Sequence, residues 1–198
     1  MGKLIILILV SYLLGNISTS YILGRIIEKK DIRNHGSKNA GATNALRVFG
    51  VKLAASTFLG DALKGVVAVI IGNYILGSSG MLIGAIFAVI GHNWPAFLKF
   101  KGGKGIATTI GVVLAINPLL AIISIIIGLI IIIKTKYVSL GSIIAMGILP
   151  LLGLIVVRPF DKKFLIFTLI LSIMAIYRHK TNIERLVKGS ESKIGEKA

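Results

Sequence analysis

Long apolar runs separated by short basic blocks leave this chain few ways to fold. The runs are Leu4 to Gly24, Leu53 to Gly77, Met81 to Leu98, Ile106 to Ile133, Leu140 to Val157 and Phe164 to Tyr177. With 55% of its 198 residues hydrophobic and only 15% charged, the chain carries more apolar surface than one soluble core can bury. Lipid must cover the rest, and in lipid a chain of this pattern satisfies its backbone as helices. At about 20 residues per crossing, the length allows one polytopic domain over residues 1–198 of roughly six or seven spans, with no room for a separate soluble domain. Met1-Gly2-Lys3 followed by Leu4 to Leu14 has the opening of a signal peptide, and Ser18-Thr19-Ser20 is a weak cleavage site. Apolar character continues through Tyr21, Ile22 and Leu23, so the segment reads as a full, retained span.

The net charge of +16 does not point to nucleic acid, because the basic residues stand in blocks between apolar runs. Such blocks set topology and attract anionic lipid headgroups. The run from 106 to 133 decides which blocks share a side. As one straight helix it would be about 42 Å long, well beyond a hydrocarbon core of about 30 Å. Asn117-Pro118 interrupts it, and a hairpin is the better reading. The hairpin puts the loop 25–52, the block Lys99 to Gly105, Lys134 to Lys136 and the basic tail on one side. Only Lys3, Arg158, Lys162 and Lys163 then lie opposite, with Lys64 inside a span. The positive-inside bias therefore predicts an external N-terminus and a cytoplasmic C-terminus. Two tilted short helices and a re-entrant pair both satisfy this topology.

Three polar segments carry the chemistry. The first, Arg33 to Arg47, contains Gly36-Ser37-Lys38-Asn39-Ala40-Gly41-Ala42-Thr43-Asn44. This density of Gly, Ser, Asn and Thr lets successive N–H groups line one concavity, with Arg33, Lys38 and Arg47 adding positive charge, which suits a phosphate. An ordinary solvated loop would use the same turn residues. The second segment, His92 to Thr108, holds Phe100-Lys101-Gly102-Gly103-Lys104-Gly105 at a membrane boundary. Its glycines permit close approach of a ligand, and Lys104 stands just before a helix N-terminus, where an anion is favoured. It is not a Walker A loop, because Leu98 and Gly105 occupy positions where that motif needs Gly and Ser or Thr. Trp94, Phe97 and Phe100 read as interfacial anchors.

The third segment combines Lys136 to Ser142 with Tyr177 to Leu186. A helix continuing past Tyr177 would set His179 and Asn182 on one face. Asp61 and Lys64, three apart within the second span, are placed to pair there. No spacing of His35, His92 and His179 supports a metal site, and the chain has no Cys.

Taken together, Gly-Ser-x-Asn-x-Gly-Ala-Thr-Asn, Phe-Lys-Gly-Gly-Lys-Gly-x-Ala-Thr and Tyr-Arg-His-x-x-Asn-Ile resemble the bacterial membrane acyltransferases that use acyl phosphate and glycerol 3-phosphate. The resemblance runs from Tyr12 to the tail. It implies an all-α integral membrane protein of about seven transmembrane helices, two of them short, with glycine-rich cytoplasmic loops. The implied reaction moves a fatty acyl group to the 1-hydroxyl of glycerol 3-phosphate, giving lysophosphatidic acid and phosphate, the first acylation of phospholipid biosynthesis. The setting is the bacterial inner membrane, with membrane lipid as partner and neither nucleic acid nor an obligatory protein partner. By motif position, catalytic roles fall to Lys104, Ser37, Arg47, His179 and Asn182. Substrate binding falls to Gly36, Asn39, Gly41, Thr43, Asn44, Gly102, Gly103 and Ser142. Many relatives have Gly where Lys38 stands. No metal and no cofactor is expected. Neither Ser37 nor Ser142 belongs to a recognisable Ser-His-acid arrangement, so direct transfer without an acyl-enzyme is expected. The competing reading is an organic-phosphate transporter, which would want polar ligands at the bilayer midplane and an internal repeat that this chain lacks.

Overall fold

The computed structural model describes residues 1–196; Lys197, the last basic residue of the tail, lies outside the described residues. Its described residues form two compact units, 1–116 and 117–196.

The first unit opens with α1 (Gly2–Asn16) and α2 (Thr19–Ile26), which meet at a 42° bend within the apolar run read as one span. The break at Ile17 and Ser18 has a use: it frees the Ile17 carbonyl, which accepts from Lys64 Nζ at 2.5 Å. The polar loop carries a 3-10 turn, Ile32–Asn34, and α3 (Ala42–Phe49). The helix α4 (Val51–Asn93) is 43 residues long, which if straight would run about 65 Å. Leu76 and Gly77 leave helical geometry, with φ of +60° at Gly77. A side chain at Gly72 would strike the Gly80 carbonyl, and one at Gly84 would meet the Ala68 carbonyl at 2.6 Å. Residues 68 and 84 would stand about 24 Å apart on a straight helix, so α4 is a hairpin of two arms, as the two apolar runs predict. After a 3-10 turn, Ala96–Leu98, α5 (Ile106–Ile116) packs on the first arm, where Gly111 abuts the Ala62 backbone. The α1 helix packs on the second arm, with Gly15 against Ala88 and Gly91 against Tyr12. Lipid offers no hydrophobic drive between helices, so such small-residue contacts, which let backbones approach, hold the spans together.

The second unit holds α6 (Pro118–Thr135), α7 (Val138–Val156), α8 (Lys162–Arg178) and α9 (Lys180–Val187). The predicted break at Asn117-Pro118 is present: the Asn117 side chain caps α6 by accepting from Leu120 N at 2.9 Å, with Pro118 in the first turn. Asp161 caps α8 in the same way, accepting from the N–H groups of Lys163 and Phe164. Gly128 and Gly141 bring α6 and α7 together. The α8 and α9 helices meet at 58°, so the helix does not run straight on past Tyr177.

By length and apolarity, three helices among the described residues can cross a membrane, or up to five if each bent pair is one span. Ile5, Ile6 and Leu9 on α1, Ile126, Leu129 and Ile133 on α6, and Leu151 and Ile155 on α7 are half exposed or more. These outward apolar stripes are surfaces for acyl chains.

Candidate functional site

In the first polar segment Asn44, only 1% exposed, organises the loop. Its side-chain oxygen accepts from Ser37 N at 2.8 Å, and its amide donates to the carbonyls of Ile32, His35 and Asn39 at 3.0 to 3.2 Å. Both polar atoms of the amide are turned into the loop, so Asn44 shapes this segment from within. Gly36, with φ of +55°, leaves the space that the Asn44 oxygen fills. Wound around Asn44, the loop presents Ser37, Lys38 and Thr43 outward and leaves Asn39, Gly41 and Arg47 half-buried. Arg33 is reassigned. Its guanidinium grips Asp31 through Nε at 3.0 Å and Nη2 at 2.8 Å, lies over the Tyr21 ring at 4.9 Å, and donates to the Leu98 carbonyl at 3.1 Å. Its charge is matched by a carboxylate two residues away rather than offered to a ligand. The same grip holds the Asp31 carboxyl below its ordinary value, against the opposing pull of burial.

Through the Arg33 bond to Leu98 the first loop reaches the second. Lys99 and Phe100 both adopt left-handed backbone before the chain enters the glycines. A Cβ at Gly102 would strike the His92 carbonyl, and one at Gly103 would strike His92 Nε2 and lie 2.9 Å from the Ala40 carbonyl. One at Gly105, where φ is +80°, would lie 2.7 Å from Asn93 Oδ1. These glycines are therefore demanded by the protein itself: the loop lies flat on 92–95 and against Ala40. Gly103 N donates to the His92 carbonyl at 3.1 Å. Lys104, half-buried between Gly103 and Gly105, stands at the entry to α5. The two glycine-rich segments thus adjoin, with Lys104 at the entry to α5 beside them.

The second unit has its own polar cluster. His179 is buried at the α8–α9 bend, with Nδ1 2.8 Å from the Ala175 carbonyl, and its backbone carbonyl accepts from Asn182 N at 2.8 Å. Asn182 Nδ2 donates to Glu191 Oε1 at 2.6 Å, as does Ser139 Oγ at 2.7 Å, while Arg185 Nε donates to Glu191 Oε2 at 2.6 Å. Ser142, half-buried on α7, donates to the Val138 carbonyl at 2.9 Å. Sequence reasoning missed Glu191, one of three acids in the basic tail with Glu184 and Glu196; its place just after Gly189-Ser190 is the one signal that sets it apart. Burial raises the Glu191 carboxyl, but hydrogen bonds from Ser139, Asn182 and Arg185 prevail and hold it below its ordinary value.

A polytopic helical membrane protein with adjoining glycine-rich polar loops is the class this geometry defines. The chain belongs to the glycerol-3-phosphate acyltransferase family, whose model matches residues 5–189, and is thus a membrane acyltransferase of phospholipid synthesis. It is 52% identical over 189 residues to the glycerol-3-phosphate acyltransferase of Thermoanaerobacter pseudethanolicus, covering 96% of this chain and 94% of that one. It is 48% identical over 199 residues to that of Clostridioides difficile, covering 98% and 96%. Among solved structures it is similar to PlsY, an integral membrane glycerol 3-phosphate acyltransferase. The glycerol 3-phosphate form matches with a TM-score of 0.91 at 36% identity, over 98% of this chain and 96% of that one. The lysophosphatidic acid form matches with a TM-score of 0.88 at 35% identity, with the same coverage.

Proposed function

We propose that this protein transfers a fatty acyl group from acyl phosphate to the 1-hydroxyl of glycerol 3-phosphate, releasing lysophosphatidic acid and inorganic phosphate. The observation that carries the reading is the adjacency of the two glycine-rich loops, with Lys104 seated between buried glycines at the start of α5. The forms in which PlsY was solved, with glycerol 3-phosphate and with lysophosphatidic acid, support the acceptor and the product. The donor is the one that the motif resemblance implies. Acyl phosphate is already activated, with phosphate as a good leaving group, so a site without an activated nucleophile suffices.

In this scheme the glycerol hydroxyl attacks the acyl carbon, the new ester C–O bond forms, and the bond from the acyl carbon to the bridging oxygen breaks, its electron pair leaving with phosphate on that oxygen. Lys104, Arg47, Ser37 and backbone N–H groups stabilise the developing charge, with Gly36, Gly102 and Gly103 shaping the cradle. Asn39, Gly41, Thr43 and Ser142 bind substrate. The hydroxyl proton passes to a phosphate oxygen or to His179, with Asn182 holding the acceptor. The whole chain acts as one acyltransferase domain, and seven helices are counted when each arm of α4 and the short α5 are spans. The loops and the C-terminus face the cytoplasm and the N-terminus the outside.

Purified protein in detergent, without vesicles, should convert glycerol 3-phosphate and acyl phosphate into lysophosphatidic acid. Product formation from an acyl thioester but not from acyl phosphate would contradict the donor. Glycerol 3-phosphate uptake into sealed vesicles with no turnover in detergent would favour a transporter.

A further inference from the structure

Behind the glycine loop lies a buried charge cluster that the substrate scheme leaves unused. Asp61 and Lys64, on the first arm of α4, are 1% and 6% exposed. Lys64 Nζ lies 2.9 Å from Asp61 Oδ1, 2.5 Å from the Ile17 carbonyl and 2.9 Å from His92 Nδ1. An ammonium has three protons and no lone pair, and these three acceptors take all of them. With Lys64 charged, His92 Nδ1 is placed to accept, which puts the proton of a neutral ring on Nε2. Asp61 Oδ1 also accepts from Thr19 Oγ1 at 3.2 Å and lies 3.7 Å from His92 Nδ1, so it balances the Lys64 charge within the cluster. On the other side of the ring, Nε2 occupies the space a Gly103 side chain would need, while the His92 carbonyl accepts the Gly103 N–H.

We propose that Asp61, Lys64 and His92 form a positioning relay for the catalytic loop: Lys64 sets the tautomer of His92, and the Nε2–H edge and carbonyl of His92 together seat Gly103 so that Lys104 is presented to the phosphate. The proposal rests on the reading of Lys104 as a phosphate ligand. It accounts for a costly pair of charges inside a span and for a glycine at 103, where a methyl group would displace the ring. It also ties the α1–α2 break to the loop, because the Ile17 carbonyl freed there completes the Lys64 shell.

The relay has a signature that packing alone lacks. With histidine 15N-labelled and the His92 resonances identified by their loss in His92→Gln, the wild-type ring in detergent should show one protonated nitrogen, Nε2, and one bare nitrogen, Nδ1. In Lys64→Met this single tautomer should be lost. An imidazolium or an Nδ1–H ring in the wild type would overturn the relay. In turnover, His92→Leu should lower kcat by roughly tenfold to a hundredfold, the scale of a small misplacement of a catalytic group. His92→Gln, whose amide nitrogen stands near the Nε2 position, should recover part of that loss. Normal kcat in His92→Leu beside an inactive Lys104→Ala would refute the relay alone. Normal turnover by Lys104→Ala would remove the phosphate reading and the relay with it.

Discussion

Lys104→Ala should reduce turnover by about 100- to 1000-fold, the scale of losing one preorganised charge donor, while the protein keeps its thermal unfolding profile because no core is opened. Near-normal turnover would contradict the role of Lys104. Asn44 makes the opposite case. Asn44→Ala leaves buried carbonyls and the Ser37 N–H without partners, at about 1–3 kcal/mol for each group left unsatisfied. It should lower both the unfolding temperature in detergent and the activity; a raised KM with unchanged unfolding would instead return Asn44 to the ligand. The motif was legible in the sequence as a polar, glycine-rich loop with an anion in view. Composition does not reveal whether an amide faces a ligand or its own loop, and Asn44 needed coordinates to decide. Arg33 could have been anticipated, because Asp31 stands two residues before it. The departure at Lys38 also has a physical reason: its φ of +58° is left-handed backbone, where Gly is at ease and Lys is strained. That strain, about 1–2 kcal/mol, exceeds the entropic cost of Gly, about 0.5–1 kcal/mol. Lys38→Gly should therefore leave thermal stability equal or slightly raised.

At the scale of elements, the apolar runs foretold the helices well, and the breaks less evenly. Asn117-Pro118 announced its break through two residues that end and begin helices. The bends at Ile17 and His179 lie within or just beyond runs whose composition is compatible with continuous helix, and long-range partners set them: Lys64 at the first, the Glu191 cluster near the second. The α4 hairpin depends on contact between Gly72 and Gly80. Gly72→Ala should destabilise by about 1–3 kcal/mol through overpacking, whereas Gly147→Ala, facing open space on α7, should stay within about 0.5 kcal/mol. Equal unfolding temperatures for the two variants would contradict the hairpin contact. The tail is held by Glu191 and by Ile194 N donating to the Lys136 carbonyl at 2.8 Å. Because the Glu191 carboxyl is held below its ordinary value of 4.5, its stabilisation is present above that pH and is lost as pH falls through the lower folded value. Wild type should thus be more stable than Glu191→Gln at pH 7, with the difference shrinking below pH 4.5. A difference that persists unchanged in acid would contradict a charge-dependent latch.

For the whole molecule, the proposed orientation, with the loops and tail on the cytoplasmic side, rests on the charge pattern, and the Cys-free chain makes it testable. Single cysteines at the exposed positions Lys38, Lys134 and Lys188 should resist a membrane-impermeant thiol reagent in intact cells, and one at Arg158 should react. Reaction of any of the first three from outside would contradict the proposed orientation. In the proposed reaction the acyl group passes directly from phosphate to glycerol with no covalent stop on the protein. To test it, purified protein is mixed with radiolabelled acyl phosphate without acceptor, quenched within one turnover, and examined for protein-bound label. Direct transfer predicts no acyl-protein, and lysophosphatidic acid only once glycerol 3-phosphate is added. A stoichiometric acyl-protein that passes its label to glycerol 3-phosphate would contradict it.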